Sequence, residues 1–400
     1  MNKMFFRLYQ LGLKLFVLLY PFPRPKLFVG KHGLAQWLPT LAQHKQVLVV
    51  SDATLVQLGV LAPVLDALKQ ANIRYTVFSD VDPNPSIDNV ESGLAVYRDN
   101  SCDSVVAIGG GSVMDCAKLI AARVTRPKKS VRQLRGLFKI RKSLPPFYAI
   151  PTTAGTGSET TIVAVVSDKE HQQKYAVTDL VLAPKAAILL PELTTGLPPH
   201  ITATTGMDAL THAIESYIGK NSTAFTREKS LQATKLIFAN IQHACRDGKD
   251  LQARENMLRA SFYAGEAFTR ASVGYVHAIA HQFGALYNTP HGLANAILLP
   301  KILRQYGSTI ESKMMEIAQY CEMPPASDGS YATAVINKIE ALNDEMGIPQ
   351  QLSSLKQQDV GLIANMAYDE AHPDYPVPAF FERTDFKGVL EELLENVVAK

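Results

Sequence analysis

Apolar residues in the first half of the chain gather in short runs of strand length, separated by stretches with helical spacing. Residues 46–51 (QVLVVS) form a Val-rich run that ends at Asp52, after which Leu55, Leu58, Leu61, Leu65 and Leu68 recur at helical spacing over 54–71. The next strand is expected at 73–78. A loop follows at Pro83, Asn84 and Pro85, then a helix to about Asn100, then a strand at 104–108 that runs into Gly109, Gly110 and Gly111. Further strands are expected at 146–150, 162–167 and 186–190. Alternation of strand and helix predicts a parallel sheet with helices on its faces. After Pro198 and Pro199 the strand signal largely stops, and helical periodicity dominates near 202–219, 225–247, 251–287 and 330–346. The pattern thus divides the chain into an α/β half, 26–195, and a helical half, 196–400, preceded by an apolar extension, 1–25.

The extension has its own pattern. Residues 4–20 are rich in large apolar side chains, but Arg7 and Lys14 interrupt them, and the uninterrupted run 15–20 is too short to span a bilayer. Nor does the segment have the cleavage site of a secretory signal, since Pro21, Phe22, Pro23 and Arg24 follow directly. Arg7, Gln10 and Lys14 recur three and four apart, which leaves a broad apolar face. That face is expected to pack on the body of the protein or at a subunit interface, in preference to a membrane surface.

Composition narrows the function classes. At 400 residues and 43.8 kDa, with 47% hydrophobic and 19% charged residues, the chain is too large for a stapled scaffold and too apolar for disorder. A net charge of +3 gives no global case for a nucleic-acid or membrane partner. A basic interval, with no acid between Asp115 and Glu159, is read as a solvated face because no nucleic-acid motif accompanies it. Cys102, Cys116, Cys245 and Cys321 are too scattered for a disulfide framework, which favours a reducing, cytoplasmic location.

The first chemical signal is Gly109-Gly110-Gly111-Ser112 with Asp115, placed where a strand runs into a helix. Glycines let a ligand approach the backbone, and a helix N-terminus favours phosphate. A tight strand-to-helix turn would use the same glycines. Residues 151–159 (PTTAGTGSE) add a second loop of small and hydroxyl side chains after a strand, and two such loops mark the crevice where open α/β sheets bind ligands. Asp52, at its own strand end, either accepts from an adenosine ribose, favouring NAD over NADP, or caps the following helix.

The helical half carries the stronger signal. Asp208 and His212 stand four apart, on one helix face, and His277 and His281 repeat that spacing. His291 follows the turn Asn288-Thr289-Pro290. Carboxylate and imidazole suit Fe²⁺ or Zn²⁺, and two helix-borne pairs plus a turn residue point to a metal centre. The alternative is a set of neutral histidines satisfied by backbone carbonyls, with the Asp as a cap.

At these residues the chain resembles the iron-containing (group III) alcohol dehydrogenase family, close to its lactaldehyde:propanediol oxidoreductase branch. The motifs are GGGSxxD at 109–115, PTTAGTGSE at 151–159, GxDALTHAIE at 206–215 and GxxHxxxHxxGxxxxxPHG at 274–292, and the resemblance runs from about Lys26 to about Asp369. It implies the dehydroquinate synthase-like two-domain fold: an N-terminal Rossmann-like α/β domain binding NAD(H), an all-α C-terminal domain holding a divalent metal, and an active site in the cleft between. It implies Asp208, His212, His277 and His291 as metal ligands, with iron first and zinc as the alternative. His281 would line the substrate pocket and relay a proton. Asp52, Asn84, Gly110, Gly111, Ser112, Asp115, Thr152, Thr153, Thr156 and Lys174 would surround the dinucleotide.

The implied activity is hydride transfer between NAD(H) and a primary alcohol, a diol or the corresponding aldehyde, by a homodimer. A zinc-type polyol dehydrogenase, a hydroxyacid–oxoacid transhydrogenase and a dinucleotide-binding structural protein are the competing readings. Two segments depart from the family pattern: residues 1–25, and residues 372–381 (HPDYPVPAFF), which replace a shorter loop and bear on substrate access if they lie near the site.

Overall fold

The computed structural model describes residues 3–394; residues 1–2 and 395–400, the ends of the first and last predicted segments, lie outside it. The chain forms two compact units. One is Phe22–Gly196; the other joins the chain from Leu197 onward to the residues up to Pro21, so the first helix, α1 (Lys3–Leu19), belongs with the helical part of the sequence.

The α/β unit contains β1 (Lys26–Val29), α2 (Gly30–Trp37), β2 (Val47–Val50), α3 (Ala53–Gln57), α4 (Ala62–Gln70), β3 (Tyr75–Phe78), α5 (Ile87–Asp99), β4 (Ser104–Gly109), α6 (Gly111–Thr125), β5 (Gly136–Leu137), β6 (Phe147–Pro151), β7 (Val163–Asp168), β8 (Gln173–Thr178) and β9 (Ala186–Leu189). Six strands in the order β1-β9-β6-β4-β2-β3 make one parallel sheet. Its central strands are buried on both faces, which is why they read as continuous apolar runs.

Two expectations for this unit need correction. The strand expected at 162–167 is not in the parallel sheet. As β7 it pairs antiparallel with β8, which in turn pairs with β5 in a separate three-stranded sheet. Its side chains alternate between buried and half-buried, as in a ribbon covered on one face. The single helix expected over 54–71 is two, because Gly59 takes φ +70° and Pro63 lies in the first turn of α4.

The helical unit continues with α7 (Pro199–Ile218), α8 (Ala224–Arg246), α9 (Leu251–Ala271), α10 (Tyr275–Tyr287), α11 (His291–Tyr306), α12 (Glu311–Tyr320), α13 (Tyr331–Glu345), α14 (Val360–Ala371) and α15 (Arg383–Glu391). The helix expected at 251–287 is also two, broken at Ser272, whose φ is +68°. From Gly206 to Ile218 every residue of α7 is buried, so this helix runs through the middle of its unit and its polar side chains have no solvent to turn to.

The largest departure is α1. Of the two placements expected for its apolar face, packing on the body is not observed: the face points outward, as a subunit interface, the other placement, would have it. Gln10 is 1% exposed and Phe6 2%, whereas Leu8 is 61% and Leu19 83% exposed. Arg7 donates to Val377 O (2.8 Å) and Pro378 O (3.2 Å), and Gln10 to Pro373 O and Tyr375 O (both 2.9 Å). Lys14 donates to Lys220 O at 2.9 Å. Beneath α1 lies the irregular, proline-rich segment 372–381, and it is this segment's backbone carbonyls that accept from α1's polar stripe. Phe6 fills the remaining space, stacked on His372 at 5.1 Å.

Candidate dinucleotide loops and metal centre

Both glycine-rich loops leave the C-terminal ends of neighbouring parallel strands, with Gly109 of β4 opposite Pro151 of β6. That is where open α/β sheets take their ligands. The structure brings Gly110, Gly111 and Ser112 together with Thr152, Thr153 and Thr156 here. A Cβ on Gly111 would stand 3.1 Å from Thr156, so that glycine serves the packing of the two loops. On Gly110 a Cβ would meet only Thr153, at an ordinary 3.6 Å. The protein's own packing does not require a glycine there. Asn84 accepts from Lys174 Nζ at 3.0 Å, which joins two further predicted residues. Ser112 donates to Pro83 O. Asp52 sits at the end of β2, next to β4, and its Oδ1 caps α3 by accepting from Leu55 N at 2.9 Å.

Asp115 already has partners within the protein. Its carboxylate turns inward, accepting from Ser158 Oγ and Val165 N, both at 3.0 Å. Lys118, fully buried one turn on, donates to Ser158 O (2.8 Å), Thr161 Oγ1 (2.6 Å) and Val163 O (2.9 Å). Burial brings this ammonium down to about 8, and burial pushes the nearby Glu159 carboxyl up to about 7. Asp115 and Lys118 therefore brace the second loop against α6. Sequence reasoning passed over Lys118, although a lysine within the apolar periodicity of α6 was a visible signal.

In the helical unit Asp208, His277 and His291 place one donor atom each within 4.8 Å of one another. Asp208 Oδ1 lies 3.5 Å from His291 Nε2, 3.8 Å from His277 Nε2 and 3.9 Å from His212 Nδ1. Donors around a four-coordinate ion bound at about 2.0–2.2 Å stand about 3.3–3.6 Å apart, so the set is close to the size of a divalent cation. His212, the fourth predicted ligand, is outside the tight group of three, with its ring stacked between Phe268 (4.1 Å) and His277 (4.4 Å).

Asn295, not anticipated from the sequence, has its Nδ2 at 2.7 Å from Asp208 Oδ1, 3.1 Å from His291 Nε2 and 3.3 Å from His277 Nε2. Three acceptor lone pairs thus converge on one amide nitrogen. Its buried Oδ1 finds no hydrogen-bond partner among the described residues. Converging acceptors beside an unsatisfied amide oxygen are the surroundings a divalent cation completes.

The local chain geometry explains how these residues meet. A Cβ on Gly292 would fall 2.3 Å from Thr204 O, so glycine alone lets α11 start against α7 and sets His291 beside Asp208. Behind the cluster stands Glu215, two turns after Asp208 on the same face of α7. One of its oxygens accepts from Val276 N (2.8 Å), the other from Gly274 N (2.8 Å), and the latter also contacts His277 Nδ1 (2.6 Å). This carboxylate fixes the imidazole tautomer that leaves Nε2 as the electron-pair donor. Burial pushes the Glu215 carboxyl up to about 7, and burial holds His277 well below the usual imidazole value, with His212 and His291 adding to the effect. Glu215 lay inside a recognised motif; its spacing of seven from Asp208 was the signal missed.

His281 is not part of the tight group. It stacks on His291 at 5.3 Å, with a side chain 43% exposed. Its Nδ1 contacts Glu370 Oε1 at 2.6 Å, and Glu370 also accepts from Gln282 Nε2 (2.6 Å) and Tyr375 OH (2.8 Å). Segment 372–381 thus reaches His281 through Tyr375 and Glu370. In a second group, Asp168, Glu170 and His171, the two carboxylates are engaged by Arg132 and the histidine by Asp168.

Comparison with known proteins covers both units. The family model for iron-containing alcohol dehydrogenase matches residues 24–191, and that for the C-terminal part of the Fe-containing alcohol dehydrogenase family matches 202–394. The chain is 40% identical to 1,3-propanediol dehydrogenase of Klebsiella pneumoniae over 334 residues, covering 82% of this chain and 86% of that protein. It is 37% identical to lactaldehyde reductase of Escherichia coli (strain K12) over 332 residues, with the same coverage. Among solved structures, sulfoacetaldehyde reductase from Bifidobacterium kashiwanohense in complex with NAD+ aligns with a TM-score of 0.83 at 27% identity, covering 94% of this chain and 98% of that one.

Proposed function

The chain belongs to the iron-containing alcohol dehydrogenase family, and from that premise we propose that it interconverts a short primary alcohol or diol and its aldehyde, with NAD(H) as hydride carrier. Oxidoreduction of alcohols and aldehydes is the family's activity. A small substrate is supported by the names of the relatives, which act on propanediol and lactaldehyde. The observation that carries the reading is the convergence of Asp208, His277 and His291 on one point, with Glu215 fixing the tautomer behind them.

We assign Asp208, His212, His277 and His291 as holders of a divalent cation, iron first. An ion held there would supply Lewis acidity at the substrate oxygen, easing loss of the hydroxyl proton in one direction and hydride attack on the carbonyl in the other. Asp208 supplies the site's negative charge, and the buried, neutral His277 contributes a fixed lone pair. His281, half-exposed and held through Nδ1 by Glu370, is suited to pass a proton between substrate and water. In the α/β unit, Gly110, Gly111 and Ser112 offer backbone and hydroxyl to the pyrophosphate, and Thr152, Thr153 and Thr156 line the opposite loop. Asn84 and Lys174 flank them. Asp52, besides its cap, meets the ribose and disfavours a 2′-phosphate. A cytoplasmic setting is supported by four cysteines that all stand as free thiols.

Metal analysis of anaerobically purified protein, followed by assays of short aldehydes with NADH and NADPH, tests the reading. About one iron per chain and turnover favouring NADH are expected, and His277→Ala should lose both metal and turnover while keeping its helix content. Full activity in metal-free protein would overturn the assignment.

A further inference from the structure

The orientation of α1 leaves its apolar side uncovered. Phe5, Leu8, Leu11, Leu15, Leu18 and Leu19 are between 48% and 83% exposed. Isolated exposed leucines are ordinary, but six large apolar side chains in one continuous strip are not. The helix cannot roll to bury them, because Arg7, Gln10 and Lys14 fasten the opposite face to five backbone carbonyls.

We propose that the outward face of α1 is a docking surface for an anionic lipid bilayer, on which the helix lies in the plane of the headgroups. Three observations select this occupant. At about 100° per residue the exposed apolar positions, with Tyr9 and Tyr20, span an arc of about 200°. A partner helix covers a stripe nearer 100°, whereas a medium into which the helix sinks covers the wider arc. The borders of the arc have the chemistry of a headgroup layer: Tyr9 and Tyr20, each amphipathic and part-exposed, on one side, and Lys14, whose bond to Lys220 O is itself exposed, on the other.

Charge agrees. Lys3, Arg7 and Lys14 are the only charges on α1, and Arg227 stands close enough to Lys14 to act on its ammonium. The acids nearby, Asp374 beside Tyr9 and Glu382 paired with Lys3 at 2.7 Å, lie toward the N-terminal half. Anionic headgroups are therefore met by the C-terminal half, which carries Leu15, Leu18, Leu19 and Tyr20. The helix rests on the surface and does not cross it, since no helix among the described residues is long and apolar enough to span a membrane.

The test uses the full chain as purified, with phosphatidylcholine–phosphatidylglycerol vesicles and with phosphatidylcholine vesicles alone. Co-sedimentation with the anionic vesicles is expected, weakening as salt is raised. The double substitution Leu15→Glu/Leu18→Glu should lower vesicle binding at least about tenfold while leaving the melting temperature and turnover in solution unchanged, because both side chains already face outward. Failure of the wild-type protein to bind anionic vesicles would overturn the proposal. So would light scattering that shows a dimer dissociated by the same double substitution while vesicles take up neither protein, which would make this face a contact between two copies.

Discussion

Two helices of the same unit, α7 and α1, both turn polar side chains inward, with opposite results. On α7, Asp208 and His212 enter a region with no solvent, where the Asp208 carboxylate meets further lone pairs on His277 of α10 and His291 of α11, while Glu215 behind them is matched with donors. Acceptors then outnumber donors, and a cation is what balances them. On α1 the inward groups are donors, Arg7, Gln10 and Lys14, and they meet carbonyls of irregular chain at 2.8–3.2 Å. Donors and acceptors cancel, and nothing further is needed on that side. Buried polar residues in a helix therefore announce a ligand only when their hydrogen-bonding senses fail to match; where they match, attention shifts to the face left outside.

Three substitutions probe that contrast. Glu215→Gln keeps the volume but weakens the hold on His277 Nδ1; metal affinity should fall about 10- to 100-fold, measured by competition with a chelator. Unchanged affinity would mean that the excess of acceptors around α7 does not depend on the carboxylate behind it. Glu370→Gln should reduce kcat about tenfold with little change in KM, a fraction of what a placed acid or base contributes. Burial alone would raise the Glu370 carboxyl, but His281, Tyr375 and Gln282 together hold it below its ordinary value. The wild-type contact is thus kept above the usual carboxylate range and lost only as acid protonates the group, and the kcat deficit of the variant should shrink toward that acid limit. The smallest effect belongs to α1: Gln10→Ala leaves Pro373 O without its donor, while Tyr375 O keeps Val377 N, and should cost about 1–3 kcal/mol in chemical denaturation. No cost would show that the matched donors and carbonyls do not set the orientation of α1.

What the sequence made legible follows from how local each signal is. The parallel strands are apolar runs because both of their faces are covered, and Asp208, His212, His277 and His281 stand out because four residues return a helix to the same face. β8 was missed because its burial alternates irregularly and its first residues, Gln173 and Lys174, are exposed and polar. Asn295 and Glu370 were missed for another reason: Asn295 is 87 positions from Asp208 and Glu370 is 89 from His281, and no periodicity links such pairs. The pattern of α1 was read correctly as two-faced, yet two faces do not say which one turns inward. That depended on the surface beneath, and a segment holding Pro373, Pro376 and Pro378 offers carbonyls where a helix or sheet would offer side chains.

The docking of α1 has a consequence for the order in which the protein is made. Gln10 binds Tyr375, 365 positions later in the chain. A ribosome adding about 5–20 residues per second needs roughly 20–70 s to cover that distance. α1 is therefore complete long before the carbonyls that seat it have been made.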